Sequence, residues 1–551
     1  SGKPLLAGDP HQPLNNPLRF YAQHLSTAER GGSLDVIGFG FTGTPGVQLG
    51  HNRTLGWTAT TNYADVLDLW EVALSADGSS ISLGGKDQPI TARDVSITLR
   101  GAGQPVGQGD TQTFTIRDAG DAGVLLPEEL LPVPKALLVK GEILLNWTGL
   151  RATTEARAYH DFGAAADLTA WETAVDSVEV GAVNLIAADA KTIRYKVHAL
   201  VPDRGDPSKR PLPYRIMDGT DPKTLWTGAF LPQDKLPSAK DPARGFLATA
   251  NNDPFGFTAE GKPETAPYYY GYFYDVGDRA ARIENQLTAL VRRGKVTPED
   301  LVTLQADAYS QIAEDLVPAL AQAMGTLNTD PKLAAYKGRT ELFTLLGRLS
   351  AWDRQMRRDS PEAALFYVFS HFAARRALAD DLGALFYNIL QAEPAYIFKI
   401  LRLALANRFP MAQSFLKDGA GSVLVGALAE AADYLKQRFG GFEAERYRYS
   451  DLHGVPFAHV LGGKWNPPLT QVDGSIGTVN VSSSTLFDGA GKLRERGLAG
   501  SGSLYRMVIG FDADGWPRAR VDFPRGNDEA PESPHYQDQH EDWVAGRPAP
   551  L

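Results

Sequence analysis

Asp65 and Asp68, two carboxylates three residues apart, are the first pair in this chain whose types and spacing suggest chemistry. They sit at the end of the stretch Gly46 to Val72, which reads as two strands joined by a polar turn at His51-Asn52-Arg53, followed by a further extended run. In that run Val66, Asp68, Trp70 and Val72 share one face by the period of two. The carboxylate of Asp68 therefore falls on an otherwise apolar face, and an ionised carboxylate is not buried without a partner. A cation or strong donors should meet it. With Asp65 close by and carbonyls between, the pair suits a hard cation such as calcium. A solvated edge strand is the simpler alternative.

Other polar residues carry weaker signals. His11 follows Asp9-Pro10 at a turn, where a histidine is commonly a surface residue. Asn251-Asn252-Asp253-Pro254 is a turn sequence, since Asn and Asp bond their own backbone and Pro restricts the exit. Arg279 adjoins Asp278 at a helix start, where the two could form an ion pair. Gly38-Phe-Gly-Phe-Thr-Gly43 matches a dinucleotide fingerprint by letter. Pro45 and Gly46 follow at once, so no helix can begin there to receive a pyrophosphate.

The elements that must position these residues change character along the chain. Residues 1–278 alternate short apolar runs with Gly, Pro, Asp and Asn, which argues for sheet with long loops. Extended runs are expected at Asp35-Val-Ile-Gly38, Ile90 to Leu99 and Thr113 to Ile116, with an apolar segment at Ala136 to Val139 resuming at Ile143. A helix is expected from Asp167 through Val178, then a hairpin from Val183 to Val197. Residues 279–440 follow a helical period, with start signals at Thr297-Pro-Glu-Asp300 and Ser360-Pro-Glu-Ala363. In 441–551 strand-like runs return, as at Val479 to Ser482 and Tyr505 to Ile509, and should complete the existing sheet.

Composition excludes several classes. The chain of 551 residues has 43% hydrophobic and 22% charged residues, an ordinary globular balance. A net charge of −10 and the lack of a basic, aromatic-interleaved cluster argue against nucleic acid as a partner. With no cysteine there is no disulfide, thiolate metal site or thiol nucleophile. No targeting segment is recognisable at the start, and the apolar stretch Ala384 to Ala406 contains Pro394, Lys399 and Arg402, as a core helix does and a membrane span does not.

Five short motifs in one order carry a family resemblance: Leu5-Leu-Ala-Gly-Asp-Pro-His11; Gly50-His-Asn52 with Trp57 and Asp65-Val-Leu-Asp68; Ala248-Thr-Ala-Asn-Asn-Asp253; Asp278-Arg-Ala-Ala-Arg-Ile283; and Ser533-Pro-His-Tyr-Gln-Asp-Gln539. The chain resembles the β-subunit of the penicillin acylase family of N-terminal-nucleophile (Ntn) hydrolases. The resemblance implies an α+β fold, an αββα sandwich with a large helical insertion. It implies a serine that is both nucleophile and, through its own α-amine, base. That amine titrates near neutrality. By family register the nucleophile precedes Leu5 by more than Ser1 does, so Ser1 is expected in a hairpin turn and the chain alone is expected to be inactive. The resemblance further implies that Asn252 donates its amide to the oxyanion beside the N–H of Thr61, that Arg279 supports Asn252, and that His11 lies near the nucleophile. Asp65, the carbonyl of Leu67, Asp68 and a carbonyl of Pro213 match calcium ligands. A later family aspartate falls here in Tyr268-Tyr-Tyr270, and a last ligand would come from a separate α-chain of the same precursor.

The function implied is hydrolysis of an amide joining a hydrophobic acyl group to a polar amine, as in β-lactams, N-acyl-homoserine lactones or acylated peptides, in a periplasmic or secreted enzyme. A non-catalytic binding protein on the same scaffold is the alternative. A carbohydrate-binding or structural module is a third reading, and it predicts no grouping of Asn252, Thr61 and Arg279.

Overall fold

Alternating apolar residues in the first 250 positions need two opposed faces to bury them, and the chain supplies those faces as two sheets. A computed structural model describes residues 2–101, 103–105, 107–409 and 414–551. Ser1 lies outside the described residues. A seven-stranded antiparallel sheet runs in the order Ser238–Lys240, Ile193–Lys196, Val183–Ala188, Gly56–Thr61, Leu49–His51, Asp35–Phe41 and Phe20–Ser26. It faces a four-stranded antiparallel sheet ordered Leu6–Gly8, Arg506–Phe511, Pro517–Asp522 and Ala549–Pro550. Phe39 from the first sheet stacks on Tyr505 beside the second at 4.0 Å between ring centroids, with Phe20, Met507 and Ile509 in the same core.

Helices cover both outer faces. Glu155–Ala164 and Leu168–Val175 pack Phe162 and Trp171 against Trp57 on the back of the larger sheet. Asp167 caps the second of them by accepting from the Ala170 N–H. Pro298–Gln305 lies against the smaller sheet, where Gln305 Nε2 donates to the Gly8 carbonyl at 3.0 Å. Its start is a capping box between Thr297 and Asp300, as the sequence indicates. The layers are helix, sheet, sheet, helix: the αββα sandwich.

The tail from 441 returns its strands to this sandwich. In a separate six-stranded sheet, Leu67–Val72 lies between Glu142–Trp147 and a parallel partner, Met217–Asp218. The helical region is a bundle around Pro361–Leu382, which buries residues on every side and is capped by Ser360. Ala384 to Ala406 is two helices, Ala384–Ala392 and Pro394–Leu405, broken at Glu393-Pro394. Among the described residues no helix is long and apolar enough to cross a membrane.

Two local expectations fail. Ala136 to Val139 is no strand: Lys135–Leu137 forms a single 3₁₀ turn, and Leu137 and Val139 are 71% and 91% exposed. Pro132 and Pro134 just before it remove ladder donors. Val479 to Ser482 makes only isolated bridges, to Ser475 and Gly502, and its polar side chains bond distant partners: Asn480 Oδ1 accepts from Arg506 Nη2 at 3.0 Å, and Ser482 Oγ lies 2.9 Å from His453 Nε2. The Gly38 to Gly43 letters fall on the strand Asp35–Phe41 and the turn after it, with no helix following.

Candidate active site

Between the two sheets and helix Asp278–Arg293 opens a cavity of about 530 Å³. Most of its wall is apolar: Leu6, Phe20, Leu185, Ile186 and Leu287 are representative. Among its polar lining residues Thr61, Asn251, Arg279 and His11 form one hydrogen-bonded group. Such a division suits a ligand with an apolar body and one polar, reacting group.

Thr61 ends the strand Gly56–Thr61. The next N–H, of Asn62, donates to the Ala182 carbonyl at 3.0 Å. By the alternation of an antiparallel ladder, the N–H and C=O of Thr61 point the other way. Its carbonyl accepts from Asn251 Nδ2 at 2.9 Å and from buried Asn184 Nδ2 at 3.1 Å. The Thr61 N–H thus lies on the edge that Asn251 already reaches.

Asn252, expected to point into this cavity, does not line it. Its Oδ1 accepts from the Ala250 N–H at 3.1 Å and so stays inside its own turn. The neighbouring Asn251 takes the position instead. It adopts φ of 66°, a left-handed conformation that asparagine tolerates, and this swings its side chain back to Thr61. Two adjacent asparagines look equivalent in a turn sequence. Only the backbone reversal tells them apart.

Arg279 does not pair with Asp278, which is held by Arg402 through two contacts of 2.7 Å. Instead Arg279 Nη2 donates to Asn251 Oδ1 at 2.8 Å, the Ala250 carbonyl at 3.0 Å and Asp275 Oδ2 at 2.9 Å. Its Nη1 lies 3.3 Å from His11 Nδ1. With Asn251 Oδ1 anchored on a guanidinium, the amide N–H groups of Asn251 must face Thr61. His11 Nε2 lies 3.4 Å from Asp9 Oδ2. Burial opposes the charge of Asp9, but His11, Arg506 and Ser503 outweigh it and hold its pKa below the usual value.

The carboxylates of Asp65 and Asp68 do converge, as their spacing suggests, and their partner is Arg204. Its Nε and Nη2 reach the two oxygens of Asp68 at 2.8 and 3.1 Å, and its Nη1 donates to the Asp65 carbonyl at 3.0 Å. Nη2 also lies 3.4 Å from Asp65 Oδ1. Trp226 Nε1 donates to Asp68, and the Tyr269 hydroxyl to Asp65 Oδ2 at 2.8 Å. All four carboxylate oxygens are engaged by donors, so the residues implied for calcium do not fit that ion here. Leu67 offers Asp65 Oδ1 its N–H at 3.4 Å, and Pro213 is buried in the loop before Met217–Asp218. Among the described residues no group of three or more His, Cys, Asp or Glu could hold a metal. Arg204, Trp226 and Tyr269 were not singled out from the sequence; the unpaired charge of Asp68 was the signal that some such group existed.

A sequence profile of the family described as penicillin amidase matches residues 1–551. The penicillin acylase 2 proenzyme of Pseudomonas sp. (strain SE83) is 26% identical over 98% of this chain and 64% of its own length. An acyl-homoserine lactone acylase QuiP of Pseudomonas fluorescens (strain Pf0-1) is 24% identical over 88% of this chain and 57% of its own. The chain thus spans less than two thirds of the length of these relatives. Among solved structures, a thermostable penicillin G acylase from Alcaligenes faecalis superposes with a TM-score of 0.67 at 17% identity, covering 99% of this chain and 93% of that one. The fold is shared with that enzyme, and with a profile match running the length of the sequence the chain belongs to the penicillin amidase family.

Proposed function

We propose that this chain is the β-subunit portion of an acylase that hydrolyses the amide between a hydrophobic acyl group and a polar amine. The observation that carries the reading is the mainly apolar cleft of about 530 Å³ lined by the hydrogen-bonded group of Thr61, Asn251, Arg279 and His11. The apolar walls would take the acyl chain. The Thr61 N–H and the Asn251 amide would receive the oxygen that becomes negative as a nucleophile adds to the carbonyl carbon. Asn251 would turn its N–H from the Thr61 carbonyl to that oxyanion, while Arg279 keeps its Oδ1 anchored. Donors aimed at charge that develops only in the transition state are worth about 3 kcal/mol each.

The nucleophilic serine and its amine are assigned to a segment ahead of the Leu6–Gly8 strand, with an α-chain from the same precursor completing a periplasmic or secreted enzyme. The proenzyme among the relatives supports this reading. The names of the two relatives favour β-lactams and N-acyl-homoserine lactones as substrate classes.

The test uses the complete enzyme. Asn251→Gly, which keeps the left-handed backbone, is expected to lower kcat about 10²- to 10³-fold, whereas Asn252→Ala changes it only a few-fold. The reverse ranking would remove Asn251 from the role. The 551-residue chain by itself is expected to turn over no acyl amide, with Ser1→Ala making no difference. An acyl-enzyme on Ser1, seen by mass spectrometry, would overturn that expectation.

A further inference from the structure

The Arg204 cluster at Asp65 and Asp68 departs from the metal site its sequence resembles, and the departure has a chemical logic. Two carboxylates held together in a low-dielectric interior need positive charge between them. A divalent cation would supply it by coordination. Here Arg204, only 2% exposed, reaches both carboxylates from the loop after Val201, which lies far from them in sequence. Its planar fork matches the two oxygens of Asp68, a geometry that a point charge does not need and lysine cannot supply.

The surroundings suit a guanidinium as well. The Arg204 guanidinium carbon lies 5.3 Å from the Tyr269 ring centroid and 6.0 Å from that of Trp226. Both rings also donate a hydrogen bond to the carboxylates, so they touch the cation with their faces and the anions with their polar atoms. Tyr269 stands in the segment where the resemblance leads one to look for another aspartate. A neutral donor there keeps the cluster from carrying a third negative charge, which one guanidinium would not balance.

We propose that Arg204 is an internal cation that takes the structural role of calcium, so that this protein neither binds nor needs a divalent metal at Asp65 and Asp68. Arg204 is a positioning residue. It pins the start of the strand Leu67–Val72, and through Asp65 the short segment that leads back to Thr61.

The experiment is calorimetry of the full-length protein in EGTA and in millimolar calcium, paired with elemental analysis of the purified sample. The expected result is the same melting temperature in both and no stoichiometric calcium. A melting temperature that falls in EGTA, or one calcium per chain, would overturn the proposal. Arg204→Lys keeps the charge and loses the fork, and it is expected to melt well below the wild type in either buffer. An Arg204→Lys protein as stable as the wild type would show that the fork is not what holds the pair. Should that variant fail to fold, the wild-type measurements decide.

Discussion

Arg204 and Arg279 hold two polar clusters on either side of one short segment, Thr61 to Asp68. The Arg204 side chain is 2% exposed, and every oxygen of the carboxylates it meets has a donor. Arg279 is 14% exposed and faces a cavity, and its partners keep spare capacity: Asn251 can redirect an N–H, and His11 Nε2 has no well-formed hydrogen bond. A sealed cluster can only stabilise. An open one can meet something that arrives. The same residue type thus serves architecture at one end of this segment and is available for chemistry at the other.

The sharpest way to break this contrast is to remove each arginine. Arg204→Met strands the buried carboxylate of Asp68 and the partly buried one of Asp65, and is expected to cost about 3–5 kcal/mol of stability, read by urea unfolding. A loss no larger than that of a surface arginine would mean the cluster is not sealed. Arg279→Lys should instead cost about 2–3 kcal/mol in transition-state stabilisation through its lost charged hydrogen bonds, read as kcat/KM of the complete enzyme, with little change in melting temperature. A variant that only loses stability would make Arg279 a second Arg204.

Buried histidines extend the sealed side of the comparison. His453, stacked on Tyr449 and bonded by Ser482 and Ser484 at 2.9 and 2.8 Å, has its pKa pushed down to about 3 by burial. His371 is pushed down to about 4 for the same reason. Between those values and the ordinary 6.5 the unfolded chain binds protons that the folded one refuses. Their contribution is therefore complete above pH 6.5 and lost as pH falls, by about 1.4 kcal/mol per pH unit for each histidine. Urea unfolding at pH 7 and pH 5 measures it. His453→Gln is expected to reduce that slope by one proton, and an unchanged slope would assign the acid sensitivity elsewhere.

The smallest effect tests the cavity wall. Thr297→Ala removes the cap of the helix that brings Leu301 and Leu304 to the cavity, at a cost of about 1 kcal/mol in stability. Because the helix only lines the wall, kcat should be unaffected. A change in kcat at constant stability would show that the polar group of the cavity depends on that helix.

Local rules made several of these features legible. The two-residue period put Asp68 on a buried face with Trp70 and Val72, and the structure buries all three. Desolvation alone then required a partner for Asp68, whichever residue supplied it. Thr297, Ser360 and Asp167 capped helices because their side chains answer to N–H groups a few residues away. The apolar run at Ala136 misled, because burial depends on what lies opposite, and among the described residues little covers Leu137 or Val139.

Sequence alone determined the periods, the caps, the family motifs and the need for charge beside Asp68. Tertiary structure decided which charge it was, because Arg204 reaches Asp68 across 136 positions of sequence. It also decided between Asn251 and Asn252. Their types and neighbours are alike, and only a φ of 66°, paired with a strand edge at Thr61 and a guanidinium at Arg279, turns one of them into the cavity. Partners separated by long stretches of chain leave no periodic trace, since their meeting is set by how the two sheets and the helix at Asp278 close on one another.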